Sequence, residues 1–129
     1  MESYFWQIPT LIILVILSSV SKAIQDKLQF HYSSSVFPKL TKSENFWNPQ
    51  FSWRNKYKNN DPKQGEKFYG STTIFVSLTD GWHLFGLIRN LSIVGCIAIA
   101  SKNPYYLLIY PVYIGIFHIT FTYLLKQRK

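Results

Sequence analysis

The sequence predicts an all-α protein of the membrane. Three transmembrane helices are expected at about residues 4–24, 71–100 and 104–125, with an ordered basic and aromatic loop at 32–70. Three observations predict this. Mean hydropathy over the chain is +0.00, yet the apolar residues are gathered into blocks at 4–20, 84–100 and 105–125. Aromatic residues make up 18% of the chain, and many flank those blocks, where a Trp or Tyr ring sits half in headgroups and half in water. Basic residues are unevenly spread: nine of the fourteen lie between Lys22 and Lys67, and three more follow Leu125.

The first span opens with Tyr4, Phe5 and Trp6 as an aromatic anchor. Pro9 falls near its start, where a missing backbone donor costs least. Lys22, Asp26 and Lys27 mark its exit, and helix can continue to His31. No Lys or Arg precedes Lys22, whereas a signal peptide carries a basic n-region. The block is therefore expected to be an uncleaved anchor.

Residues 32–70 are punctuated by Pro38, Pro49, Pro62, Gly65 and Gly70, which marks a loop. The same stretch holds Phe46, Trp47, Phe51, Trp53, Tyr57, Phe68 and Tyr69. Disordered linkers are poor in aromatics. An ordered segment over 44–70 is expected, with Trp47 and Trp53 partly buried at the membrane face.

The second span is expected to begin near Ser71, where Ser71, Thr72 and Thr73 are N-cap residue types. Thirty residues to Ala100 would measure about 45 Å, longer than a ~30 Å hydrocarbon core. Ser101-Lys102-Asn103-Pro104 is a tight connection, with Pro104 at the first turn of the third span. Pro111 is a kink candidate.

Charge orients the three spans. An outside N-terminus and a cytoplasmic C-terminus put the loop and the basic tail after Leu125 on one side, as the positive-inside rule asks. A four-span alternative needs a turn at Arg89-Asn90, and no Gly-Pro or polar cluster stands there. At 129 residues the chain forms one integral membrane domain, 1–129. The net charge of +8 would point to nucleic acid in a soluble protein; here the loop accounts for it, and no nucleic-acid partner is expected. Cys96 is the one cysteine, which excludes an internal disulfide and a thiolate metal site. No Walker loop, GxSxG elbow, HExxH helix or dinucleotide glycine fingerprint is present.

The chemistry-bearing residues centre on Asp80 and His83. Placed within a span, each carries an insertion cost of roughly 2.5–3.5 kcal/mol. At i and i+3 they share a helix face, with Thr73 and Asn90 completing a polar stripe. One reading is a packing cluster that satisfies itself. The other is a site. Topology brings Asp26 and His31, at the exit of the first span, to the same membrane face. Two imidazoles and two carboxylates suit zinc or another divalent metal. In that reading Asp80, His83 and His31 are metal ligands or a general base, and Asp26 is an acid beside them. His118 lies at a similar depth in the third span and reads first as a packing residue.

The run Ser52-Trp53-Arg54-Asn55-Lys56-Tyr57-Lys58 alternates bases and aromatics. Beside a bilayer its partner is an anionic headgroup, held by Arg54, Lys56 and Trp53. Two functions are open to these residues. One is metal-assisted hydrolysis or transfer on a lipid. The other is a non-catalytic membrane subunit or scaffold that binds anionic lipid, a partner protein or a second copy of itself.

The segments Phe46-Trp47-Asn48-Pro49, Ser52-Trp53-Arg54-Asn55-Lys56-Tyr57-Lys58, Asp61-Pro62-Lys63-Gln64-Gly65-Glu66-Lys67-Phe68 and Leu78-Thr79-Asp80-Gly81-Trp82-His83-Leu84 lie within residues 46–84, a stretch of about a third of the chain. They resemble a block in an uncharacterised family of small bacterial inner-membrane proteins. The resemblance implies an inner-membrane setting and assigns no activity.

Overall fold

The structure is a computed structural model that describes residues 2–40 and 43–125. The basic tail after Leu125 lies outside the described residues. The fold is all-α. In order, α1 spans Glu2–Phe30, α2 Phe37–Leu40, α3 Glu44–Trp47, α4 Pro49–Ser52, α5 Gly81–Ser101 and α6 Ile109–Ile119. Short 3-10 turns fill much of the loop, and a π-helical stretch, Thr120–Leu124, ends the third long helix.

Among the described residues, three stretches are long and apolar enough to cross a membrane: Phe5–Phe30, Gly81–Ser101 and Pro104–Leu124. The chain is thus a small polytopic protein with three candidate spans. Their surfaces are largely apolar and exposed, the pattern of helices whose solvent is lipid.

The chain forms two compact units. One is Ile16–Arg89; the other joins the chain up to Val15 with the chain from Asn90 onward.

In the first unit, Ser21, Gln25 and Leu28 lie at i, i+4 and i+7 on α1, so they share one face, and all three are buried. Gln25 Nε2 donates to the main-chain carbonyl of Trp82 at 3.0 Å, and Trp82 Nε1 donates to Gln29 Oε1 at 3.2 Å. These bonds hold the end of α1 against the start of α5. Two glycines make the approach possible. A Cβ on Gly81 would meet the Trp47 ring at 2.7 Å, and one on Gly86 would meet Gln25 Nε2 at 2.8 Å. The loop supplies the aromatic packing here: Trp47 stacks on Phe37, meets Phe46 edge-on and lies against Phe85. Over residues 43–70 the loop is folded into short helical turns and a hairpin. Trp47 is half-buried as expected, but Trp53 is exposed.

In the second unit, Val94 and Ala98 are buried, and Gly95 comes against Leu14, where a Cβ would lie 3.3 Å from Leu14 Cδ1. A Schellman motif closes α5. Asn103 N returns to the Ala98 carbonyl and Lys102 N to that of Ile99, both at 3.1 Å, with Lys102 at φ +54° in the position usually given to glycine. Asn103 then caps the third span through Tyr105 N at 3.0 Å, with Pro104 just inside, as expected. The change from 3-10 to α-helix comes at Ile109, two residues before Pro111.

The first helix continues past the span to Phe30, as the sequence allowed, because Leu28 and Gln29 find partners at the start of α5. One boundary differs from expectation: the second helix starts at Gly81, ten residues later than expected. Residues 71–79 are turns, in which Thr73 N and Phe75 N donate to the Gly70 carbonyl, Leu78 N to that of Phe75 and Thr79 N to that of Val76. Thr73 is therefore not part of a helical polar stripe.

Candidate functional site

The junction between loop and α5 concentrates the polar chemistry of the first unit. Its base is a small hairpin in which Tyr57 pairs with Glu66: Lys58 N donates to the Gly65 carbonyl at 3.1 Å and Lys67 N to that of Lys56 at 2.9 Å. Asn59 and Asn60, at φ +50° and +57°, make the turn that the Asn-Asn-Asp-Pro sequence signals.

Two side chains lock the hairpin to the turn at Gly70–Thr72. Ser71 is fully buried; its hydroxyl donates to the Lys56 carbonyl at 2.7 Å and accepts from Lys67 N at 3.1 Å. Glu66 accepts from Gly70 N at 3.1 Å, from Thr72 N and from the Thr72 hydroxyl. The Thr72 hydroxyl bond and then the Gly70 backbone bond hold the Glu66 carboxyl below its ordinary value.

From the hairpin a chain of polar contacts reaches α5. Lys67 Nζ donates to Asn55 Oδ1 at 2.8 Å, and Asn55 Nδ2 donates to the Thr79 carbonyl at 2.6 Å. Asp80 is next. It is 2% exposed, and it is the N-cap of α5: Oδ1 accepts from His83 N at 2.9 Å, three residues on. Its other oxygen, Oδ2, lies 2.7 Å from His83 Nδ1. A carboxylate only accepts, so the bridging hydrogen belongs to Nδ1. His83 is about one-third exposed in its side chain.

The expected pair is thus brought together, but by a different cause. Asp80 does not sit in the middle of a helix. It starts one, where its charge meets the positive end of the helix dipole instead of hydrocarbon.

The other residues named from the sequence are placed separately. Asp26 pairs with Lys22 one turn earlier on α1. His31 is exposed and starts a 3-10 turn at Tyr32–Ser34, its carbonyl accepting from the Ser34 hydroxyl at 3.2 Å. Among the described residues, no three His, Cys, Asp or Glu side chains come together as a metal would need. The trio Asp80, His83 and His31 is therefore not assembled, and Asp26 is engaged by Lys22. His118 is exposed on α6.

The basic and aromatic run keeps its alternation in three dimensions. The Arg54 guanidinium lies 4.8 Å from the Trp53 ring centre, and Lys56 Nζ lies 5.5 Å from that of Tyr57. Arg54, Lys56, Lys58 and Lys63 form no ion pair with a described residue.

Reading the sequence missed the roles of Gln25, Asn55, Ser71 and Glu66. Gln25, Asn55 and Ser71 bond across 57, 24 and 15 residues, so no local spacing reveals them, whereas Glu66 reaches Gly70 and Thr72 only four and six residues on. The cap was visible: Thr79-Asp80-Gly81 before an apolar run is an N-cap signature. No family model, curated protein or solved structure matches this chain.

Proposed function

We propose that the protein is a membrane scaffold whose folded loop binds anionic lipid headgroups. The observation that carries this reading is the run of cations without carboxylate partners among the described residues, Arg54, Lys56, Lys58 and Lys63, on and just before the hairpin, beside the exposed Trp53 ring. Trp53 is 44% exposed despite lying in a folded segment. A ring in that setting, with a guanidinium over its face, suits the headgroup layer of a bilayer. A lipid phosphate completes the charge that the hairpin leaves uncompensated. The uneven basic residues support a cytoplasmic loop, with the N-terminus outside, and the sequence resemblance supports a bacterial inner membrane. Asp80 and His83 then serve the loop by fixing where α5 begins.

The test is lipid selection by the reconstituted full chain, read from spin-labelled phosphatidylglycerol against phosphatidylcholine. Each basic residue near an anionic surface contributes about 1 kcal/mol, so Arg54→Gln with Lys56→Gln lowers the preference by about 30-fold at low salt. Equal selection by parent and variant defeats the reading.

A second reading rests on the Asp80–His83 contact. A carboxylate on Nδ1 orients an imidazole so that Nε2 is a general base towards water or a lipid hydroxyl. This is the acid–base half of lipid hydrolysis or transfer, with any metal recruited from outside the described cluster. Turnover of labelled phospholipid by the parent, abolished in His83→Gln with unchanged folding, would favour it over the scaffold.

A further inference from the structure

The segment between the hairpin and α5 has its polarity reversed. Ser71, Ser77, Thr79 and Asp80 are all buried, whereas Ile74 is 73% exposed, Leu78 62% and Phe75 44%. A loop that faces water places such residues the other way round. Thr73, which also points outward, turns its hydroxyl back towards the Gly70 carbonyl. Four main-chain N–H groups, those of Thr73, Phe75, Leu78 and Thr79, donate within residues 70–79. Irregular backbone is not exposed to lipid within the hydrocarbon, so the backbone stays at headgroup depth and only apolar side chains reach below it.

We infer that the apolar side chains of residues 74–78 form a wedge that inserts among the acyl chains of the bilayer beside the start of α5. The occupant is identified by continuity. The segment runs without a break into a candidate span that begins at Gly81, so it already stands at the membrane boundary. Trp82, 40% exposed, and Tyr69, 86% exposed, flank it with the amphipathic rings that mark that boundary. Ile74 and Leu78 enter the hydrocarbon, while the buried hydroxyls and Asp80 face the protein. The wedge accounts for why an apolar stretch of the sequence is not helix: its polar side chains are used to fold the turn, leaving its apolar ones for lipid. It rests on the membrane setting of the proposed function, but not on selection of anionic headgroups.

The test uses the full chain in vesicles, in a Cys96→Ala background, with a nitroxide attached at Ile74→Cys, at Leu78→Cys and, as a control, at Lys63→Cys. Collision with oxygen, which partitions into lipid, is compared with collision with a water-soluble nickel chelate. Oxygen is expected to exceed nickel at positions 74 and 78, and nickel to exceed oxygen at 63. The result should hold in pure phosphatidylcholine and in phosphatidylglycerol alike. Leu78→Glu, combined with the label at 74, is expected to shift position 74 towards nickel. Nickel in excess at 74 and 78 would show a water-facing loop, and exclusion of both reagents would show a protein partner; either overturns the wedge. Insertion only in anionic vesicles also overturns it, whereas loss of lipid selection with insertion intact strikes the headgroup reading alone.

Discussion

Asn55 and Thr79 are 24 residues apart, and the Asn55 amide donates to the Thr79 carbonyl at 2.6 Å while its oxygen accepts from Lys67 Nζ. One side chain thereby ties the basic hairpin to the residue that precedes the α5 cap. The loop and the start of the span are a single mechanical piece.

Asn55→Ala is expected to leave the Thr79 carbonyl without this partner and to release Lys67, at about 1–3 kcal/mol for a buried polar group left unpaired. Limited proteolysis of the reconstituted protein checks it: cleavage within 55–79 should accelerate while the spans remain protected.

Asp80 as a cap separates charge from geometry. Asp80→Ala removes the bond to His83 N and is expected to lower stability by about 1–2 kcal/mol. Asn is as good a cap as Asp, so Asp80→Asn should retain most of the stability while changing the contact to the imidazole. Thermal unfolding in detergent ranks the three proteins; a large loss in Asp80→Asn would show that the charge, more than the cap, is what matters.

The two glycines at the α1–α5 contact differ in what a methyl would strike. At Gly81 it meets the rigid Trp47 ring, with Leu28 at 3.3 Å behind it; at Gly86 it meets the movable end of Gln25. Gly81→Ala is expected to cost about 1–3 kcal/mol as overpacking, and Gly86→Ala less. Trp fluorescence during denaturation measures both, since Trp47 and Trp82 report on this contact.

Glu66 gives the loop an acid limit. Its carboxyl is held below its ordinary value of 4.5 by the Thr72 hydroxyl and the Gly70 and Thr72 backbone. A depressed carboxylate contributes stability above its unfolded value, and that contribution is lost as pH falls through the folded one. Protection of the Gly70 and Thr72 amides, measured by hydrogen exchange relative to the intrinsic rate at each pH, should therefore fall as the pH drops below about 4.5, and Glu66→Gln should flatten that dependence.

Most of the architecture was legible because it rests on composition over long windows. The three spans come from apolar blocks, and the connection at Ser101-Lys102-Asn103-Pro104 from the habit of Pro at a helix's first turn. The order of the loop came from its aromatics. The stretch from Ser71 to Thr79 was misread. Its average hydropathy is that of a helix, but Thr79-Asp80-Gly81 sets the true start. Window averaging smooths away a cap one residue wide. The expected meeting of Asp26 and His31 with Asp80 assumed that topology alone gathers side chains. Topology selects a membrane face, while contact needs the correct helical phase as well, and Asp26 uses its own phase to reach Lys22.

The two ends of α5 are both fixed, by the Asp80 cap at one and the Lys102 turn at the other. Its 21 residues measure about 31 Å at the helical rise, against ~30 Å of hydrocarbon. A helix pinned in this way cannot fray or extend to suit a thicker or thinner bilayer. Such a bilayer must deform around it, at a modest cost for each ångström of mismatch. As a candidate span, α5 is matched to a core of that thickness, and the protein is expected to partition towards membranes whose lipids match it.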